Sequence, residues 1–187
     1  MPQGGGPRAQ HGVLPPALLA RDVATADQFA DPGYQPQPAQ KPGPPLLIGG
    51  WGERTLRLAA EHADIIGLTG ATSDREGNLS LVDAAGWRER TEFVRTALGE
   101  RAKKVELNVL VQTVVSTDDR AGTLERLRAY DPHLTAEELA ELPTLLVGTP
   151  HQIAEQLREH RERYGLGYLT VLEPNLDTFA PVIELLR

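Results

Sequence analysis

The residues best suited to chemistry are Gly49-Gly50-Trp51-Gly52, followed at once by Glu53-Arg54. Glycines lack a Cβ, so the backbone there can approach a ligand closely. The apolar run Leu46–Ile48 precedes them and an amphipathic stretch follows, which makes a strand, a glycine turn and a helix start. The first N–H groups of a helix have no partner within it and sit at its positive end, so such a corner suits a phosphate or another anion. Arg54 either adds a charge-assisted contact to that anion or is a solvated helix residue. Trp51 either stacks on a ligand or fills the space at the mouth of the fold.

Other chemistry-bearing residues are dispersed. His11, His62, His133, His151 and His160 show no metal-ligand spacing, and His151 and His160 are expected on one solvated helix. Glu173 follows the last predicted strand and reads chiefly as an exposed loop carboxylate. The run Arg158–Arg163 reads as a salt-bridged outer face. With no cysteine, the chain has no disulfide, thiolate nucleophile or zinc–thiolate site. Catalytic residues are not identified by spacing.

The 187 residues are 40% hydrophobic, enough for one good core. A net charge of −7 argues against nucleic acid and anionic membranes as partners. No apolar run approaches the ~18 residues of a membrane span, so a cytoplasmic location is expected. Ten of the 15 prolines fall in the first 45 residues, which cannot sustain ladders or long helices. Residues 1–44 are therefore read as a Pro/Gly-rich segment with one short helix at 16–29, and 45–187 as the folded domain.

Within 45–187, apolar runs alternate with helical stripes. Strands are predicted at Leu46–Ile48, Ile65–Leu68, Val105–Val115 and Tyr168–Leu172. Helices are predicted over Glu53–Ala63, Asp83–Leu98, after Thr117-Asp118-Asp119, from Thr135, over Thr149–Tyr164, and from an Asp177 cap with Phe179, Val182, Ile183 and Leu186 inward. Thr135 with Glu138, and Thr149 with Gln152 and Pro150, are capping boxes. Strands separated by helices pair in parallel through right-handed crossovers, so the class is α/β.

Several segments resemble the C-terminal half of the luciferase-like monooxygenase family, particularly its deazaflavin-dependent oxidoreductase branch. They are Pro44–Gly50, Arg57–Asp64, Glu106–Val111, Leu146–Leu157, Arg161–Val171 and Phe179–Ile183. Pro16–Phe29 is similar to the helix after that family's third strand. The resemblance implies a partial (β/α)8 TIM barrel whose four strand–helix units correspond to strands five to eight. It also implies an oxidoreductase that uses FMN or the deazaflavin coenzyme F-420 for hydride transfer on a small-molecule substrate. The cofactor phosphate would lie on Gly49, Gly50, Trp51 and Gly52, with Thr69 and Gly70 as the companion contact.

A full barrel takes about 250 residues. The chain therefore reads as a truncated or internally deleted member, without the early strands that carry the family's catalytic residues. Four strands of a barrel leave two open edges and a bare inner face, so a homo-oligomer or a complementary half-barrel is the expected partner. The alternatives are a non-catalytic half-barrel that persists by association, and a remnant that folds poorly.

Overall fold

The structure, a computed structural model, describes residues 39–41, 43–73, 76 and 79–187. The helix expected at 16–29 and His11 lie outside the described residues. The chain divides into two units, Met1–Pro44 and Pro45–Arg187.

The second unit opens with β1 (Leu47–Gly50), α1 (Glu53–His62) and β2 (Ile65–Leu68). The strand expected to stop at Ile48 runs on through both glycines, because Gly49 and Gly50 pair in register with Gly67 and Leu68. α1 buries Leu56, Ala59 and Ala60 and ends in Ala63, also buried. Its last carbonyls are satisfied from a distance: the Arg101 guanidinium donates to the carbonyl of Ala60 and, at 2.7 Å, to that of Ala63. Arg101→Met keeps the aliphatic stem and removes these donors. It is expected to cost about 2 kcal/mol, read from the urea midpoint at constant slope.

The stretch after β2 reads as a polar loop in sequence but forms a hairpin of β3 (Ala71–Ser73) and β4 (Leu79–Leu81), paired antiparallel. α2 (Ala84–Leu98) follows, capped by Asp83 and closed by Gly99 at φ 52°. Its predicted stripe of Trp87, Thr91, Val94 and Leu98 is buried.

The single long strand expected at Val105–Val115 is two strands, β5 (Glu106–Val111) and β6 (Thr113–Ser116), broken at Gln112. The amides of Gln112 and Thr113 both turn to the carbonyl of Thr144, at 2.9 and 3.3 Å. β6 then pairs with β7 (Leu145–Gly148), an extra strand not expected from the sequence, rather than with the main sheet. Between them lie α3 (Arg120–Leu127) and α4 (Ala136–Ala140).

α5 (Pro150–Tyr164) begins with the predicted capping box and Pro at its first turn, and ends at left-handed Gly165. β8 (Leu166–Val171) and α6 (Leu176–Leu186) complete the chain. The cap of α6 is Asn175, not Asp177, which lies in its first turn. Asn175 is drawn away from the helix: its Nδ2 donates to Gln112 O at 3.1 Å, and its Oδ1 accepts from Val114 N at 3.3 Å. Of the stripe expected on α6, Phe179 and Val182 are buried while Ile183 and Leu186 are exposed, so the helix lies on a narrower contact than its periodicity suggests.

The main sheet runs β1-β2-β5-β8, with every pairing parallel. Leu56, Ile66, Leu68, Val94, Val109 and Trp87 belong to the main core, which joins this sheet to α1 and α2. A second cluster joins Val111 and Val114 to Leu146, Ile153, Leu157, Phe179 and Val182. Registers place Gly49, Gly67, Asn108 and Tyr168 in one row across the four strands. Asn108 is buried there, its Nδ2 donating to Tyr168 O at 3.2 Å and Thr170 Oγ1 at 2.9 Å.

Candidate functional site

Because β1 and β2 are adjacent and parallel, the turns that follow them leave the sheet side by side. This brings Trp51-Gly52 together with Thr69-Gly70. The two turns share a floor, Trp87 from the first turn of α2, which is fully buried. Its ring meets Trp51 edge-on at 5.0 Å and 71°. Gly70 sits at φ 63°, and a Cβ there would come within 2.3 Å of the Trp87 ring and 2.9 Å of Thr144 Cγ2. Glycine is thus required at Gly70 by backbone conformation and by the indole beneath it.

Trp51 is half-buried in this packing, and the Arg90 guanidinium lies 5.8 Å from its ring and 5.6 Å from that of Phe93. The indole is therefore held as part of the corner's wall. Arg54 is exposed on the first turn of α1.

The glycines of the corner differ in kind. At Gly50 a Cβ would fall 2.8 Å from Thr55 Cγ2, so glycine there lets the strand end pack on the helix start. At Gly52 a Cβ would meet nothing within 4 Å, and the backbone (φ −70°, ψ 143°) suits any residue. Gly52 is also the N-cap of α1 and offers its amides no side chain. By contrast α2, α3, α4 and α5 have caps from Asp83, Asp119, Thr135 and Thr149. The ladder of α1 starts with Leu56 N donating to Gly52 O at 3.0 Å, which leaves the amides of residues 53–55 outside it. One charge opposes an anion here: Glu53 stands on the same turn, exposed and 3.7 Å from Arg57.

A cleft of about 520 Å3 opens beside the corner, lined by Ala71, Leu81, Gln112, Asp131, Thr144 and Leu145 among others. Asp131 accepts from Leu81 N at 3.0 Å. Thr144 Oγ1 is buried and has no hydrogen-bond partner. Trp87, Asn108 and Thr144 were not singled out from sequence. Trp87 left a trace there as one apolar position in a helical stripe, and Asn108 as a polar position on the mixed face of its strand; Thr144 left none.

His62, His133 and His151 are exposed, and no group of three His, Cys, Asp or Glu side chains is placed to hold a metal among the described residues. Glu173 is exposed and opens the short turn before α6. Within Arg158–Arg163 the outer face is as expected, with Arg158 paired to Glu155 and Arg163 to Glu141. His160 departs from it. The ring is buried, 4% exposed, because α5 turns that position onto the segment after α4.

Burial pulls the His160 pKa from 6.5 to about 4, against a hydrogen bond to the Glu141 backbone that raises it. The unfolded chain therefore takes up this proton first as pH falls. Stability is unaffected above pH 6.5 and declines from there towards pH 4. His160→Gln should remove about 2 kcal/mol of the loss between pH 7 and pH 5. Urea unfolding of both proteins at the two pH values measures it, and identical losses would contradict it.

No family model matches the sequence, and no curated protein matches it. Solved structures do. Apo-MsnO8 superposes with a TM-score of 0.56 at 18% identity, over 94% of this chain and 61% of that one. An F420-dependent secondary alcohol dehydrogenase, solved with an F420–acetone adduct, gives 0.53 at 12% identity, over 79% and 50%. The chain thus spans about half to three-fifths of the length of these two proteins; for the long-chain alkane monooxygenase LadA the share is 40%. At such identities the likeness is one of fold. The parallel sheet with its helices is part of a (β/α)8 barrel, the fold implied by the resemblance to luciferase-like monooxygenases.

Proposed function

We propose that the chain belongs to the luciferase-like monooxygenase family and forms the cofactor-holding part of a flavin- or deazaflavin-dependent oxidoreductase. The observation that carries this is the uncapped start of α1 at Gly52, open to solvent and beside the Thr69-Gly70 turn. The C-terminal end of the strands is where barrels bind ligands.

The fit extends to the anionic end of FMN or coenzyme F-420. Amides 53–55 would donate to a phosphate, Gly52 would leave room for it, and Arg54 is close enough in sequence to add a charge. Trp87 would keep the two turns at fixed spacing. Either cofactor, when bound, supplies hydride transfer to or from a small-molecule substrate. No residue described here is assigned to the reacting ring. Fluorescence-quenching titrations with FMN and F-420 separately test the reading: saturable binding by one supports it, and no binding by either at millimolar concentration overturns it.

The inner face of the sheet favours a second, compatible reading: association as a homo-oligomer or with a complementary half-barrel, in the cytoplasm. Leu47 and Tyr168 are 45% and 40% exposed, and β1 and β8 each pair on one side only among the described residues. Unpaired edges of this kind invite another chain. Light scattering that returns a stable monomer with no added partner would contradict it.

A further inference from the structure

The cleft of about 520 Å3 beside the glycine corner is mostly aliphatic. Leu139 and Leu145 are buried beneath it, and Ala71, Leu81 and Leu127 are half-buried on its walls. Tyr130, on the turn after α3, also lines it and is 88% exposed. A concave apolar surface with few polar groups is the usual form of a small-molecule site.

Asp131 interrupts this lining. Among the described residues it is the one charged side chain on the cleft, and no Lys, Arg or His shares it. Asp131 is 9% exposed and held at two points: its carbonyl accepts from Leu134 N at 3.3 Å, and its Oδ2 from Leu81 N at 3.0 Å. These bonds fix the carboxylate, while Oδ1 meets no donor among the described residues. Oδ1 is open to the cleft rather than enclosed, so a molecule lying there can reach it. A carboxylate set among apolar side chains is stabilised by an opposite charge that also donates a hydrogen bond. The same carboxylate repels phosphate, so the occupant differs from the anion proposed at Gly52. We propose that the cleft binds a small amphiphilic amine in its protonated form. The ammonium donates to Asp131 Oδ1, and an aryl or alkyl body lies along Leu81, Leu127, Leu139 and Leu145. Such binding needs no cofactor at the glycine corner, so it succeeds or fails separately from the proposed function.

Calorimetry on the full chain, without cofactor, compares phenethylamine with two controls. Phenethyl alcohol keeps the body without the charge, and ethylamine keeps the charge without the body. Leucine methyl spectra are recorded alongside. Phenethylamine should bind about tenfold or more tightly than either control, with the largest methyl shifts at Leu139 and Leu145. Asp131→Asn, whose amide oxygen can still accept from Leu81 N, should lose about tenfold in phenethylamine affinity. The proposal is overturned by no phenethylamine binding at millimolar concentration, by a control that binds as well, by methyl shifts confined to other leucines, or by unchanged affinity in Asp131→Asn. Should that variant fail to fold, the two controls and the methyl shifts of the unaltered chain still decide.

Discussion

Gly70→Ala should lose about 3 kcal/mol of stability, combining left-handed backbone strain with overpacking against a fixed indole. The added Cβ would stand 2.3 Å from the Trp87 ring in a backbone held at φ 63°. Neither neighbour can yield cheaply, since Trp87 is fully buried and locked between Trp51 and Tyr164. Thermal denaturation should show a fall of roughly 10 °C. Trp87→Phe should make the same glycine change less costly, because the smaller ring withdraws from the Cβ. A Gly70→Ala variant as stable as the parent, or a cost indifferent to residue 87, would remove Trp87 as the floor of the corner.

Gly52→Asp should change stability and binding in opposite directions. Space and backbone at Gly52 accept a side chain, and Asp at an N-cap bonds the first amides of the helix. The protein should gain a few tenths of a kcal/mol. The new carboxylate would occupy the amides proposed for the phosphate and repel it, so FMN or F-420 affinity should fall at least tenfold. A melt and a fluorescence titration on the same preparation read both effects. If the glycine serves only the turn, stability rises and cofactor affinity does not move.

The sequence carried the helices well because their signals are local. Asp83, the two capping boxes, Gly99 and Gly165 mark ends within a few residues of the stripes they bound, and the structure uses each of them. It carried the strand order less well at Gln112, where the break depends on Thr144 and Asn175, 32 and 63 residues away. No periodicity within Val105–Val115 could report those partners. β7 escaped notice because three aliphatic residues and a glycine before a capping box look the same in a strand or a loop.

The candidate site was legible to the same degree. Strand, glycines and helix start were apparent from their order, and parallel pairing then brought Thr69-Gly70 alongside. Spacing could not tell Gly50, which packs on Thr55, from Gly52, which faces open space. Nor could it foresee the burial of His160, since the charged residues on either side mask it and its cover comes from beyond α4.

A backbone amide spectrum of the full chain, titrated with FMN and with F-420 and followed residue by residue, decides whether the glycine corner holds the cofactor phosphate. The largest shifts should fall on the amides of Gly52, Glu53, Arg54 and Thr55, with smaller ones at Thr69 and Gly70, and in Gly52→Asp they should need at least tenfold more cofactor. Saturable binding that leaves those six amides in place would contradict it.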